Sequence, residues 1–396
     1  MADGPRETWI TGVGILSCLG EGPDAHWQAL DAGKINVDTT KFAPYIVHPL
    51  APVNFDAQIP KKGDQRQMEP WQRIGTYAAG LALASAGAKG NADLLGRMDM
   101  IVAAGGGERD LAADGAILSG LPKAGEQEPF LNERLMNDLR PTLFLAQLSN
   151  LLAGNISIVH GVTGSSRTFM GEEASGVDAV RIGVARIQSG QSDIVLVGGA
   201  QNGERKEMLL LYEFAQFNLT KEFKPVWARH GHPGFALGSM GAFLVLESSD
   251  NARARGAKPM ARLTSVVNAR SERKPGDVTT TLARLWDKIA LRRGKNGAFI
   301  SGATGVEPAT SEERAFLKGH PEFAVRATGS HIGHGVEPQF AMNIALAAVA
   351  VQRGALFASQ DPTGFERAAD DALAQAVVTG VGHWRGEGLA LVEKID

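Results

Sequence analysis

The chain has one cysteine, Cys18, in 396 residues. A single thiol excludes an internal disulfide and any cysteine-ligated zinc or iron–sulfur cluster. An excess of charge of one sign is missing too: 40 lysines and arginines stand against 43 aspartates and glutamates, a net of -3. Neither the basic footprint of a nucleic-acid binder nor a polyacidic tail is present, so no nucleic-acid partner is expected. No apolar run approaches the ~20 residues that a membrane-spanning helix needs. The most apolar stretches, IVLVGGA at 194–200 and IALAAVAV at 344–351, are far shorter. The opening MADGPRETW lacks the basic-then-apolar plan of a secretory signal, and a cytoplasmic location is expected.

Glycine and aliphatic residues are what the chain has in quantity. Its 48 glycines fall repeatedly at the ends of short β-branched runs: WITGVGIL at 9–16, MIVAAGGG at 100–107, IVLVGGA at 194–200 and FLVLE at 243–247. Such runs predict buried strands closed by tight turns. Between them lie stretches with helical spacing, PWQRIGTYAAGLALASAG at 70–87 and GVDAVRIGVARIQSG at 176–190. In the second, Val177, Val180, Val184 and Ile187 share one face and Gly190 is placed to end the helix. Strand and helix alternate through the whole length, which predicts an α/β fold with largely buried sheets. The alternation occurs twice, and the charged segment SSDNARARGAK at 248–258 is the natural seam. Two halves are expected, 1–252 and 253–396.

Three segments, in order, resemble the β-ketoacyl-carrier-protein synthases. TWITGVGILSCLGEG at 8–22 is similar to that family's opening strand and turn. GFALGSMGAFLVLESSDNARARGAKP at 234–259 is similar to its mid-chain GFxLGxGAGxLVLE segment. GVTGSSRTFMGEEASGVDAVRIGVARIQSGQSDIVLVGGA at 161–200 lies without a gap on its nucleophile region, and in that register the family's cysteine falls on Glu173. The resemblance implies a thiolase-like fold, two similar α/β halves stacked as a five-layer αβαβα sandwich with the active site between them. It also implies a dimer.

The family's first catalytic histidine maps through FISGATG at 299–305 onto Ser301, and its second through GSHIGH at 329–334 onto His334. The family's lysine falls on Gly329. The C-terminal GFGGTN loop reads GHWRGEG at 382–388, with His383 at the gating phenylalanine and Trp384 and Arg385 in place of glycines. Those side chains are expected to fill part of the pocket. The acidic residue of the mid-chain GEGAG turn is replaced by Ser239. Because Glu173 and His334 map to one family pocket, a hydrogen bond between them is expected. Cys18 lies in the opening turn and reads as a small buried hydrophobe.

Condensation needs a thiolate to hold the acyl chain and donors that stabilise the enolate left by decarboxylation. Glu173 suits the dipole of a helix N-terminus, but an acyl anhydride hydrolyses too readily to replace a thioester. Several losses in a group of residues that act together remove the machinery as a unit. The resemblance therefore points to a non-condensing, chain-length-factor-like subunit. Its partners would be an acyl carrier protein and a cysteine-bearing synthase, in a homodimer or heterodimer. Two alternatives stay open: an active 3-oxoacyl synthase or acyltransferase with Glu173 as base beside His334, and a scaffold that binds carrier protein or lipid. No cofactor is implied. The strings His331, His334, Glu337 and His230, His232 have generic spacing, and no metal is expected from them.

Overall fold

The computed structural model describes residues 5–139, 145, 147–289, 291, 296–369 and 371–395. Its principal elements begin with β1 (Thr8–Ser17), α1 (Pro70–Ser85), β2 (Asp99–Ala104), α2 (Leu151–His160), β3 (Ser166–Met170), α3 (Glu173–Gln188), β4 (Ile194–Gln201), α4 (Lys206–Phe214) and β5 (Met240–Ser248). After the short helix Ser249–Ala254 come β6 (Ala261–Ala269), α5 (Asp277–Trp286), β7 (Gly297–Ser301), α6 (Ala309–Lys318), β8 (Ala324–Ala327), α7 (Gln339–Arg353), β9 (Gln375–Val381) and β10 (Glu387–Glu393). Every residue of β1, β4, β5 and β10 is buried, as unbroken apolar runs require when both faces of a sheet are covered.

The strand order is β3-β2-β4-β5-β1 in the first half and β8-β7-β9-β10-β6 in the second. In each, three strands run parallel and the last two pair antiparallel. The two halves thus repeat one topology, the third strand at the outer edge and the first at the inner. The inner strands join through two residue pairs, Trp9 with Arg262 and Ile10 with Ala261.

Helices α1 and α2 cover the outer face of the first sheet, and α5 and α6 that of the second. Between the sheets lie α3 and α7, packed on each other, which completes the five layers. Their position explains their composition. Helix α7 is buried from Gln339 to Val351, so it is apolar on every side. Helix α3 buries Val177, Val180, Val184 and Ile187 as its periodicity predicts, and Gly190 beyond its end takes φ +77°.

Each middle helix follows the third strand of its half. The start of α3 and the turn before α7 therefore meet between the sheets. A Cβ on Gly176 would lie 2.3 Å from the carbonyl oxygen of Glu337, so the contact requires glycine. This junction positions the site.

Candidate functional site

Glu173 opens α3 after a turn in which Gly171 has φ +151°. The side chain points into the junction and is buried. Its Oε1 lies 2.8 Å from Nε2 of His334, in the turn before α7, and 2.7 Å from Nδ1 of His383, in the β9–β10 hairpin. The two imidazole rings stand nearly perpendicular, at 85° with centroids 5.0 Å apart. His383 Nε2 is 2.8 Å from Oγ1 of Thr304. Phe235 packs on both rings and Phe217 on His383, which leaves the cluster little exposed. The expected Glu173–His334 hydrogen bond is present, and the hairpin adds a second histidine.

Burial alone would raise the Glu173 carboxyl. The facing His383 and the hydrogen bond from His334 outweigh it and hold the group well below the usual carboxylate range. Burial also lowers His334, against the raising influence of Glu173. Glu173 is thus a buried carboxylate at a helix N-terminus, and a neutral His334 donates its Nε2–H to it. Three donor atoms, from Glu173, His334 and His383, lie within 4.8 Å of one another.

The space beside this cluster is a cavity of about 10 Å³, lined by Glu173, Gly302, His334, Gln339, Phe340 and Thr379 among others. It has room for one water at most and none for an acyl chain. Outside lies an open cleft of about 820 Å³, whose walls include Met170, Glu172, Tyr212, Glu337, Trp384 and Arg385. Trp384 stacks on Tyr212 with centroids 5.7 Å apart, and Arg385 Nε lies 3.7 Å from Glu172. Both side chains stand at the wall of the cleft and leave the inner cluster to His383.

Ser301 ends β7, but its hydroxyl donates to Glu313 Oε1 at 2.6 Å, where Thr379 also donates. The structure does not bring Ser301 to Glu173; the same loop supplies Gly302 and Thr304 instead. Gly329 opens the short helix Gly329–Ile332, where a Cβ would lie 2.8 Å from the Ala303 carbonyl oxygen and 3.1 Å from Val226. Returning a lysine to this position is expected to cost about 1–3 kcal/mol by overpacking, seen as a lower urea midpoint with unchanged slope. Ser239 is buried against Asn202 and the Gly203 amide.

Cys18 is buried with Sγ 3.4 Å from the His331 carbonyl oxygen and 3.7 Å from His48 Nδ1. Burial pushes its thiol up to about 12, so it is no thiolate. His331 contacts the Lys34 carbonyl and His232 the Thr220 hydroxyl, so neither joins the cluster. Thr304 and Arg273 are functional residues that sequence reasoning missed. Arg273 pairs with buried Glu387 and donates to the carbonyls of Gly382 and Gly386, which fastens the hairpin that carries His383. Thr304 lies within the 299–305 segment, three places beyond the position mapped there, and Arg273 has no motif around it. Their partners are 79 and 114 residues away in the chain.

Residues 6–252 match the family model described as β-ketoacyl synthase, N-terminal domain. The chain is 26% identical over 268 residues to 3-oxoacyl-acyl-carrier-protein synthase 2 of Vibrio cholerae, covering 65% of this chain and 62% of that protein. The synthase 2 of Rhizobium meliloti is 26% identical over 282 residues, with 65% of this chain and 63% of that protein covered. The chain thus spans somewhat over three-fifths of these curated relatives. Among solved structures, the ishigamide ketosynthase/chain length factor superposes with TM-score 0.81 at 19% identity, over 99% of this chain and 100% of that one. A β-ketoacyl synthase from Burkholderia phymatum gives 0.79 at 18%, over 99% and 100%. These structures share the thiolase-like fold, and with the family match over the half that carries Glu173 they lead to one conclusion: the chain belongs to the β-ketoacyl synthase family.

Proposed function

We propose that the chain is a non-condensing, chain-length-factor-like member of the family, which pairs with a cysteine-bearing synthase and helps shape the pocket for a growing acyl chain on its carrier protein. The observation that carries this reading is the closed Glu173–His334–His383 cluster. Its carboxylate is held ionised between two histidines, and the cavity of about 10 Å³ beside it leaves no place for an acyl group. A working acyltransferase that used Glu173 as a base would need substrate at that oxygen. The cavity beside Glu173 is too small to admit it.

Two further features support the pairing. Strand β3 lies at the outer edge of its sheet, partly exposed, and ends in Met170 at 73% exposure. An open edge of this kind can add a strand from a partner. Among solved structures of the same fold are a ketosynthase/chain length factor and a type II ketosynthase complex with its acyl-carrier protein.

The test is a condensation assay with acyl- and malonyl-carrier protein, read by mass spectrometry of the β-ketoacyl product. The purified chain is expected to give no product alone. Mixed with a synthase that has the cysteine and both histidines, it is expected to co-elute with that synthase and to change its product lengths. Turnover by the chain alone, abolished by Glu173→Ala, would establish the acyltransferase instead.

A further inference from the structure

We infer that Glu173, His334 and His383 form a zinc site that clips the two halves of the chain together. The inference concerns the same cluster but stands apart from its pairing with a synthase. Three segments converge here: the start of α3 in the first half, the turn before α7 and the β9–β10 hairpin in the second. No single segment has metal-ligand spacing, so the set is invisible to a motif search.

The hydrogen bonds among these groups are incomplete. His383 Nδ1 lies 2.7 Å from Glu173 Oε1 yet makes no aligned hydrogen bond, and Glu173 Oε2 and His334 Nδ1 have no hydrogen-bond partner among the described residues. All three side chains are more than nine-tenths buried. Unpaired polar atoms in such a place are costly. A divalent cation held by the carboxylate, His334 Nε2 and His383 Nδ1 would pair the carboxylate and His383 Nδ1, and would take over the place of the present bond from His334 Nε2. The proton that His334 Nε2 now donates to Glu173 would shift to the far ring nitrogen, Nδ1.

The donor atoms are already close. A tetrahedral zinc with bonds of ~2.0–2.1 Å sets its ligands ~3.3 Å apart, about half an ångström wider than the two contacts to Glu173 at 2.8 and 2.7 Å, and the whole donor set lies within 4.8 Å. Thr304 Oγ1 holds the far nitrogen of His383 at 2.8 Å, the kind of outer contact that fixes the ring of a metal-ligating histidine. Space then selects the metal. Two histidines and one carboxylate also suit six-coordinate iron(II), but that ion needs several open positions. The cavity of about 10 Å³ admits one water, which makes a fourth ligand and no more. With no route for substrate to that water, the ion is structural.

The test uses the full chain, unfolded and refolded with Zn2+ and then dialysed, because the site is too buried to load by soaking. One zinc per chain by mass spectrometry of the metal is expected, with a melting temperature that rises on loading and falls again after refolding with chelator. Refolding with Co2+ is expected to give the visible absorption of a four-coordinate ion. His383→Gln should retain less than a tenth of the metal. Thr304→Val, which keeps the side-chain shape, should weaken binding ~10–100-fold. Less than a tenth of an equivalent of zinc in the unmodified chain, with a melting temperature indifferent to Zn2+ and chelator, would overturn the proposal. Because the readouts are metal content and stability, the outcome is separate from that of the condensation assay.

Discussion

Glu173→Ala is expected to cost the metal-free chain about 2–5 kcal/mol of stability, the range for leaving buried polar groups unpaired and opening a cavity. The loss has two parts. His334 and His383 lose the oxygen that both face at 2.8 and 2.7 Å, deep among Phe217 and Phe235. The shortened side chain also leaves a cavity between packed helices. Glu173→Gln separates the charge from the shape. Its amide oxygen can still accept from His334 Nε2, so its cost should be roughly a third of the alanine value. The sign with pH follows from the depressed carboxyl. Its contribution is fully present above the unfolded value near 4.5 and is lost as pH falls through the folded value, so the wild-type advantage over Glu173→Gln should shrink on acidification. Urea denaturation of the three proteins with chelator present measures both effects. Equal midpoints for wild type and alanine would mean that the cluster does not hold the halves.

Much of the architecture was legible because it rests on burial. The strands at 9–16, 100–107, 194–200 and 243–247 and the helix face of Val177, Val180, Val184 and Ile187 are written in local periodicity, and the folded chain uses them as written. The repetition of one sheet topology was visible only as two passes of strand and helix; the shared order β3-β2-β4-β5-β1 and β8-β7-β9-β10-β6 depends on pairings between distant strands. At the site, the ungapped stretch at 161–200 led to Glu173, and its bond with His334 could be anticipated. The role of His383 could not. A histidine at a loop position reads as bulk, and only the hairpin, fastened by Arg273, turns Nδ1 toward the carboxylate. Ser301 shows the opposite difficulty. A short buried strand end offers one direction to its side chain, and here Glu313 on α6 takes it, twelve residues on.

Glu337→Gln should stabilise the protein as pH rises, which is unusual for loss of an ionisable surface-cleft residue. Glu337 sits at the floor of the outer cleft, buried at 4% exposure, with its Oε2 unpartnered among the described residues. Burial pushes its carboxyl up to about 8, the nearby charge of Glu173 adds to this, and Arg205 opposes it. In the unfolded chain the same group titrates near 4.5. Between those values the folded state binds one proton more than the unfolded state, so stability falls as pH rises and the loss is complete above about 8. Glutamine imitates the protonated acid and does not titrate. At pH 4 the two proteins should be nearly equal; at pH 8 the variant should be more stable by on the order of 4 kcal/mol, read from urea midpoints at each pH. A difference that stays constant from pH 4 to pH 8 would show that Glu337 is already ionised in the fold. The contrast with Glu173 follows from surroundings alone. Two carboxyl groups share one junction, and the one that faces two histidines keeps its charge while its neighbour, buried without such partners and near that charge, gives it up.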